Sequence, residues 1–440
     1  MNGLESLEAR WLMAADLSTG LDAHFGRSGV LNFAAATKAT LTGRVASGSD
    51  GYFFAATTGK RYYVYKVTNG GKIDTAWGSG GRLTFGRIPI DQIAVDQKTG
   101  KLYIAGVDFR SMVVERFNAN GTEDATFGSG SVFNFTPTQP ANGDSGILGD
   151  ISAVTPLAHQ QVLVTFNRRT YVETDTSGIY SHLVGSDELV VMRLRTGGTR
   201  DPNFGKNGFA TVFGGAYTYG LGEFASTEIT QTPLLGGIQL HDDGSIRVVG
   251  SQQYTQTGES NCAGLITTSY NRFQVVSRTL DINGKGGSTW TEQYVGDEPG
   301  DTRDIKPFYV GPVGDDDFSA NIMTGGDPVA MTGLAEFTRF YAVGGDNPPS
   351  NTVLPIGDPG ALTDFIRTAR GDYFAFTSSR KGTARQVTKF TDALTVNRRW
   401  GRNGVTFLDD VALDAKFFGD TAGRLLVIDD GSTIRRFDGI

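Results

Sequence analysis

One pattern, Asp-x-x-Phe/Trp-Gly-x-x-Gly, recurs along this chain and limits its fold more than any other feature. It reads LDAHFGRSGVLNF from residue 21, IDTAWGSGGRLTF from 73, EDATFGSGSVFNF from 123, RDPNFGKNGFATVF from 200 and VNRRWGRNGVTFL from 396. A turn made this often marks a supersecondary unit that is repeated and stacked.

Two further elements accompany it. An apolar strand led by a turn comes first: SDGYFFAATTG from 49, KTGKLYIAGV from 98, AHQQVLVTFN from 158 and DDGSIRVVGS from 242. Weaker forms are DDDFSANIMTG from 315, ARGDYFAFTSS from 369 and TAGRLLVIDDG from 421. An alternating strand with a basic-aromatic ending follows, as in YYVYKVTNGG, MVVERFNANG, LVVMRLRTGG, ARQVTKFTDA and STIRRFDG. Alternation implies one buried face, and the NG and GG endings are hairpin turns that need positive φ.

The recurrent turn has a mechanical reading. Asp22, Asp74, Asp124 and Asp201 can accept backbone N–H groups within it. Phe25, Trp77, Phe127, Phe204 and Trp400 are the expected buried plugs between neighbouring repeats. Gly26, Gly29, Gly78, Gly128, Gly205 and Gly401 let the chain reverse against each ring. These residues hold the fold, and no catalytic role is assigned to them.

Spacing sets the architecture. The plugs lie 52, 50, 77 and 196 residues apart, and the last gap holds three of the leading strands. Repeats of roughly 50–80 residues with three or four strands are the size of propeller blades. The expected fold is therefore all-β: a single β-propeller over residues 20–440, seven-bladed by the count of leading strands, with six and eight as the neighbouring counts. The chain ends on STIRRFDGI, where the next element should be Asp-x-x-Phe-Gly, and that element stands at the other end, in residues 21–33. The N-terminal strand should thus complete the last blade and close the ring without an open sheet edge.

The repeats resemble the delta-60 repeat family of bacterial β-propeller proteins, best in TGKLYIAG, VVERFNANGTEDATFGSG and VYKVTNGGKIDTAWGSGG. The resemblance runs from about residue 20 to 440 and weakens between about 252 and 350. It implies a fold and an exported setting rather than an activity. Residues 1–19 read as a short amphipathic helix, LESLEARWLMAAD, without the basic start and apolar core of a secretory signal. Leu7-Glu8-Ala9-Arg10-Trp11-Leu12-Met13 resembles the LEPR-XLL motif of planctomycete surface proteins, with Ala9 in place of the proline. That resemblance implies an exported or cell-surface address in a bacterium.

Composition narrows the function classes. The net charge is −7 and the pI about 5.3, which argues against nucleic acid as a partner. The lone Cys262 has no disulfide partner, and no apolar run is long enough for a transmembrane helix. His24, His159, His182 and His241 form no zinc-spaced pair, and neither a phosphate loop nor a G-x-S-x-G elbow occurs.

The middle repeats carry extra length at 136–150, 168–188, 213–228, 251–271 and 295–304, expected to be elongated loops. Tyr217, Tyr219, Tyr254 and Tyr270 lie there among Gly, Thr, Gln and Asn, a mixture suited to sugar rings and peptides. Two acidic clusters, GDEPGDTRD and the Asp315-Asp316-Asp317 run, are candidate metal loops. Neither has EF-hand spacing, and solvated turn acids are the simpler reading; calcium is the one ion they would take, and no other cofactor is expected. The functional reading is a non-enzymatic propeller that binds a glycan, peptide or surface protein through the long loops. The alternatives are a structural or adhesive surface module, and a lyase or glycoside hydrolase with channel carboxylates.

Overall fold

The computed structural model describes residues 20–438, except 109–110, 137–144, 176–180, 222–224, 261–267, 295–306, 314–316, 323–335, 342–349, 354–361, 379–384, 409–410 and 413. The expected N-terminal helix therefore lies outside the described residues. Within them the protein is all-β, built from antiparallel sheets mostly of four strands. It divides into two compact units, one of residues 1–87 with 354–440 and one of residues 88–353.

The first unit opens with strand β1 (Val30–Asn32) and the short helix α1 (Phe33–Thr37). One sheet follows: β2 (Thr40–Ser47), β3 (Gly51–Thr58), β4 (Arg61–Thr68) and β5 (Arg82–Gly86). The second unit holds β6 (Gln92–Val95), β7 (Leu102–Asp108), β8 (Ser111–Phe117) and β9 (Val132–Phe135) in one sheet. Its next sheet has eight strands in sequential order. They are β10 (Ser145–Pro156), β11 (Val162–Asp175), β12 (Ser181–Leu194), β13 (Phe209–Leu221), β14 (Ala225–Leu240), β15 (Ile246–Ser260), β16 (Thr268–Leu280) and β17 (Gly286–Tyr294). A further sheet is β18 (Pro307–Val313), β19 (Asp317–Ile322), β20 (Glu336–Tyr341) and β21 (Ser350–Val353). The first unit resumes with β22 (Leu362–Arg367), β23 (Tyr373–Ser378), β24 (Arg385–Phe390) and β25 (Val405–Leu408). It ends with β26 (Lys416–Gly419), β27 (Leu425–Asp429) and β28 (Thr433–Phe437).

The leading strand is next to the edge strand in each four-stranded sheet, and in the eight-stranded sheet the two leading strands, β11 and β15, are its second and sixth. Tyr52, Phe53, Phe54, Ala55 and Ala56 of β3 are all buried, as are Leu102, Tyr103, Ile104 and Ala105 of β7 and Leu425–Ile428 of β27. A strand covered on both faces selects a continuous apolar run. The following strand departs from the expected one-sided alternation for the same reason: Tyr63, Val64, Tyr65, Lys66 and Val67 of β4 are all buried.

The N-terminal strand does complete the last sheet, whose order is β1-β28-β27-β26. Val30, Leu31 and Asn32 pair with Arg435, Ile434 and Thr433. The Asp22 amide donates to the Arg436 carbonyl (2.8 Å) and the Asp438 amide to the Gly20 carbonyl (2.8 Å).

Among the described residues, nearly all the extra length of the middle repeats is strand rather than loop, with 145–150 of the first segment opening β10. Residues 168–175 and 181–188 extend β11 and β12, 213–221 and 225–228 belong to β13 and β14, and 251–260 and 268–271 to β15 and β16. The segment at 295–304 lies outside the described residues. These stretches are rich in Thr and Tyr. Such residues favour a pleated backbone whose polar groups are met by a neighbouring strand.

Candidate functional site

The recurrent turn is a structural clamp. Its rings are buried: Phe25, Phe127 and Phe204 at 0% and Trp77 and Trp400 at 2% exposure. One carboxylate oxygen of Asp22, of Asp124 and of Asp201 caps its turn. The Asp22 Oδ1 accepts from the His24 amide (2.9 Å), Asp124 Oδ1 from Thr126 (3.1 Å) and Asp201 Oδ1 from Asn203 (3.1 Å).

The other oxygen has a second task that the turn alone does not announce. Arg116 Nε donates to Asp124 (2.7 Å) and Arg193 Nε to Asp201 (2.9 Å), each from the basic-aromatic strand eight residues earlier. Arg436 donates to Asp22 from the opposite end of the chain (Nε 2.9 Å, Nη2 2.6 Å). The three guanidiniums lie over their plugs, 4.6 Å from the Phe25 and Phe127 ring centres and 4.7 Å from Phe204. They then reach onward to the turn of the next repeat. Arg436 Nη1 donates to the Asn69 carbonyl (2.6 Å), Arg116 Nη1 to Thr196 (2.8 Å), and Arg193 Nη1 to Ile282. Tryptophan plugs go with lysines instead. Lys66 pairs with Asp50 (2.5 Å) and Asp74 (3.1 Å), and Lys389 with Asp372 (3.0 Å). Trp77 and Trp400 meet Phe53 and Phe374 edge-on, each with ring centres 5.3 Å apart.

Burial pushes the carboxyls of Asp22, Asp124 and Asp201 up. The turn hydrogen bonds and the neighbouring cations more than reverse it, so all three titrate below the ordinary aspartate value.

The four candidate tyrosines lie on three strands, Tyr217 and Tyr219 on β13, Tyr254 on β15 and Tyr270 on β16. Register pairs Tyr217 with Thr230 and Thr230 with Thr255, whereas Tyr254 pairs with Gln231. Tyr270 pairs with Gln256. Of the candidate calcium ligands, Asp317 begins β19, and Asp315 and Asp316 lie outside the described residues. Among the described residues, no group of three His, Cys, Asp or Glu is placed to hold a metal.

A cleft that the sequence reading missed lies in the second unit. It encloses about 690 Å³ and is lined by five cations, Arg168, Arg200, Lys206, Arg278 and Lys285. Phe209, Ala210 and Leu280 supply apolar lining, Asn207 and Thr211 polar groups, and none of the described lining residues is acidic. Arg168 is held by Glu188 (Nε 3.1 Å). Arg200 lies over Phe209, 4.7 Å from its centre. Arg278 Nη1 donates to the Thr211 and Val212 carbonyls (both 2.9 Å), while its buried Nε has no partner among the described residues. No described carboxylate pairs with Arg200, Lys206, Arg278 or Lys285.

The cleft opens where the repeat drops its plug. Between β8 and β9 and between β12 and β13 the chain inserts the full Asp-x-x-Phe turn; between β16 and β17 only residues 281–285, DINGK, intervene. The preceding plug turn, Gly205–Asn207, forms one wall and the short turn Gly284–Gly286 the other. The signal available in sequence was this shortened connection, because its lining residues are scattered over two repeats.

No protein-family model and no curated protein matches the chain. Several solved structures resemble it in chain trace. The WD40 domain of Toxoplasma gondii coronin is 10% identical at a TM-score of 0.44, over 90% of this chain and 80% of that one. A prolyl endopeptidase structure is 11% identical at 0.33; the chain covers 56% of its length and is itself 95% covered. The NanB sialidase of Streptococcus pneumoniae is 8% identical at 0.30, over 91% of this chain and 80% of that one.

Proposed function

We propose that the protein is an exported or cell-surface β-propeller that works by recognition rather than catalysis, with the cationic cleft as its binding site. Sheets of four strands support the propeller, and the eight-stranded sheet is equivalent to two of them side by side, which makes seven. The pairing of β1 with β28 supports closure of the ring by the chain's own ends. The resemblance of the repeats to delta-60 propellers and of residues 7–13 to the LEPR-XLL motif supports the address.

The observation that carries the binding reading is the cleft itself. Four cations without a described acidic partner face one cavity on a chain whose net charge is −7. Like charges gathered without counter-charges cost stability, and a ligand that neutralises them repays that cost. The cavity is of ligand-pocket size and mixes apolar and polar lining. It presents no described carboxylate pair of the kind that glycoside hydrolysis requires.

The test is a glycan and peptide array probed with the purified chain and with the double variant Lys206→Glu/Lys285→Glu. Both lysines sit on turns at the rim, so the fold should survive. A hit that disappears in the double variant supports the site. A hit retained in full moves binding elsewhere, and a blank array for both proteins refutes the recognition reading.

A further inference from the structure

We infer that the ligand of this cleft is an acidic sugar: a saccharide unit that carries a carboxylate or sulfate and rests against Phe209. The inference rests on the recognition reading and names the chemistry that the lining selects.

Two features of the lining act together. Phe209, only partly buried and flanked by Arg200, gives the cavity an apolar edge, which a free inorganic anion cannot use. The C–H face of a sugar ring can use it, while the ring's edge carries hydroxyls and the acid group. Around that surface stand cations of two kinds. Arg278 is anchored by the Thr211 and Val212 carbonyls, which fixes the plane of its guanidinium beside the cavity. A planar guanidinium fixed in this way presents a directed donor suited to a carboxylate or sulfate oxygen. Lys206 and Lys285 sit on the two facing turns and act as point charges. Asn207 and Thr211 provide groups for the neutral hydroxyls.

The size and the field limit how far the ligand extends. About 690 Å³ holds one or two sugar rings rather than a long segment. The chain as a whole is acidic, so a polyanion running far beyond the cleft meets repulsion. The cleft therefore fits the acidic end, or a short acidic stretch, of a glycan.

Uronates and sulfated sugars share this chemistry, and calorimetry separates them. The full chain is titrated with a galacturonate trimer, a sulfated disaccharide, the neutral galactose trimer and sodium sulfate, at low and moderate salt. The expected result is binding of one or both acidic sugars, none of the neutral trimer, and a loss of roughly tenfold or more in the Lys206→Glu/Lys285→Glu variant. Which acidic sugar binds identifies the source of the negative charge. Equal binding of the neutral trimer overturns the acidic class and leaves the recognition reading standing. Sulfate binding as tightly as either sugar overturns the saccharide part. No binding of any sugar, alongside a cleft-dependent array hit of another class, overturns this inference alone; a blank on both experiments overturns the recognition reading with it.

Discussion

Asp22→Ala tests the joint between the two ends of the chain. The substitution removes the carboxylate that Arg436 grips with Nε and Nη2, and it leaves the guanidinium in a site where its side chain is 2% exposed. Removing one partner of a buried ion pair costs about 3–5 kcal/mol. Arg436 keeps the Tyr52 hydroxyl (3.1 Å) and the Asn69 carbonyl (2.6 Å). Those two acceptors place the cost at the lower end, about 3 kcal/mol. Asp74→Ala is the control. Lys66 keeps Asp50, and the Asp74 side chain is 24% exposed, so the expected cost is about 1 kcal/mol. Native-state hydrogen exchange reads the difference where it arises. The amides of Asp22, Arg436 and Asp438 donate to the Arg436, Gly29 and Gly20 carbonyls across the joint. In Asp22→Ala they should exchange about a hundredfold faster, the equivalent of about 3 kcal/mol. Unchanged protection in Asp22→Ala, or an equal loss at the joint in Asp74→Ala, would refute the idea that this ion pair fastens the ends.

Other expectations follow from the same clamps. Asp22, Asp124 and Asp201 titrate below their unfolded value, so they stabilise the fold above about pH 4 and that contribution is lost as the pH falls through their folded values; melting temperatures that are equal at pH 3 and pH 6 would contradict this. Glu115 behaves in the opposite sense, because burial and the nearby Glu123 raise its carboxyl to about 7 and it weakens the fold as the pH rises toward that value. Glu115→Gln should therefore raise the melting temperature at pH 8 and leave it unchanged at pH 4, and a pH-independent effect would count against the assignment. Gly198 has φ +70°, and an added Cβ would overlap the Gly128 amide nitrogen and the Phe127 ring, so Gly198→Ala should cost about 3 kcal/mol or more in urea unfolding. At Gly80 (φ +63°) a Cβ meets nothing, and Gly80→Ala should cost only about 1 kcal/mol; equal effects at both positions would mean that backbone strain, not the clamp, sets the cost. Ser131 occupies with φ +77° the place that Gly81, Gly208 and Gly404 hold in the other copies, and Ser131→Gly should stabilise the protein by about 0.5–1 kcal/mol, measured the same way.

By itself the sequence determined the periodic part of this protein. The spacing of Phe25, Trp77, Phe127 and Phe204 made the repeats visible, and each ring is buried as the pattern requires. The displaced first copy at residues 21–33 announced the pairing of β1 with β28, because a missing element at one end and a spare at the other can be counted. Local turn chemistry carried this information, since glycine and aspartate positions follow from φ and from capping within a few residues. Three things were decided only in the tertiary structure. Arg116, Arg193 and Arg436 became partners of the turn aspartates because strand pairing brings them there, and nothing in a basic-aromatic strand ending specifies that choice. The long middle segments became strands because neighbouring strands were present to take their hydrogen bonds, whereas the polar composition alone suited loops equally well. The cleft gathers Arg168, Arg200, Lys206, Arg278 and Lys285 from separate strands and turns. Electrostatics acts through space, so a field of that kind exists only once the sheets have put those side chains around one cavity.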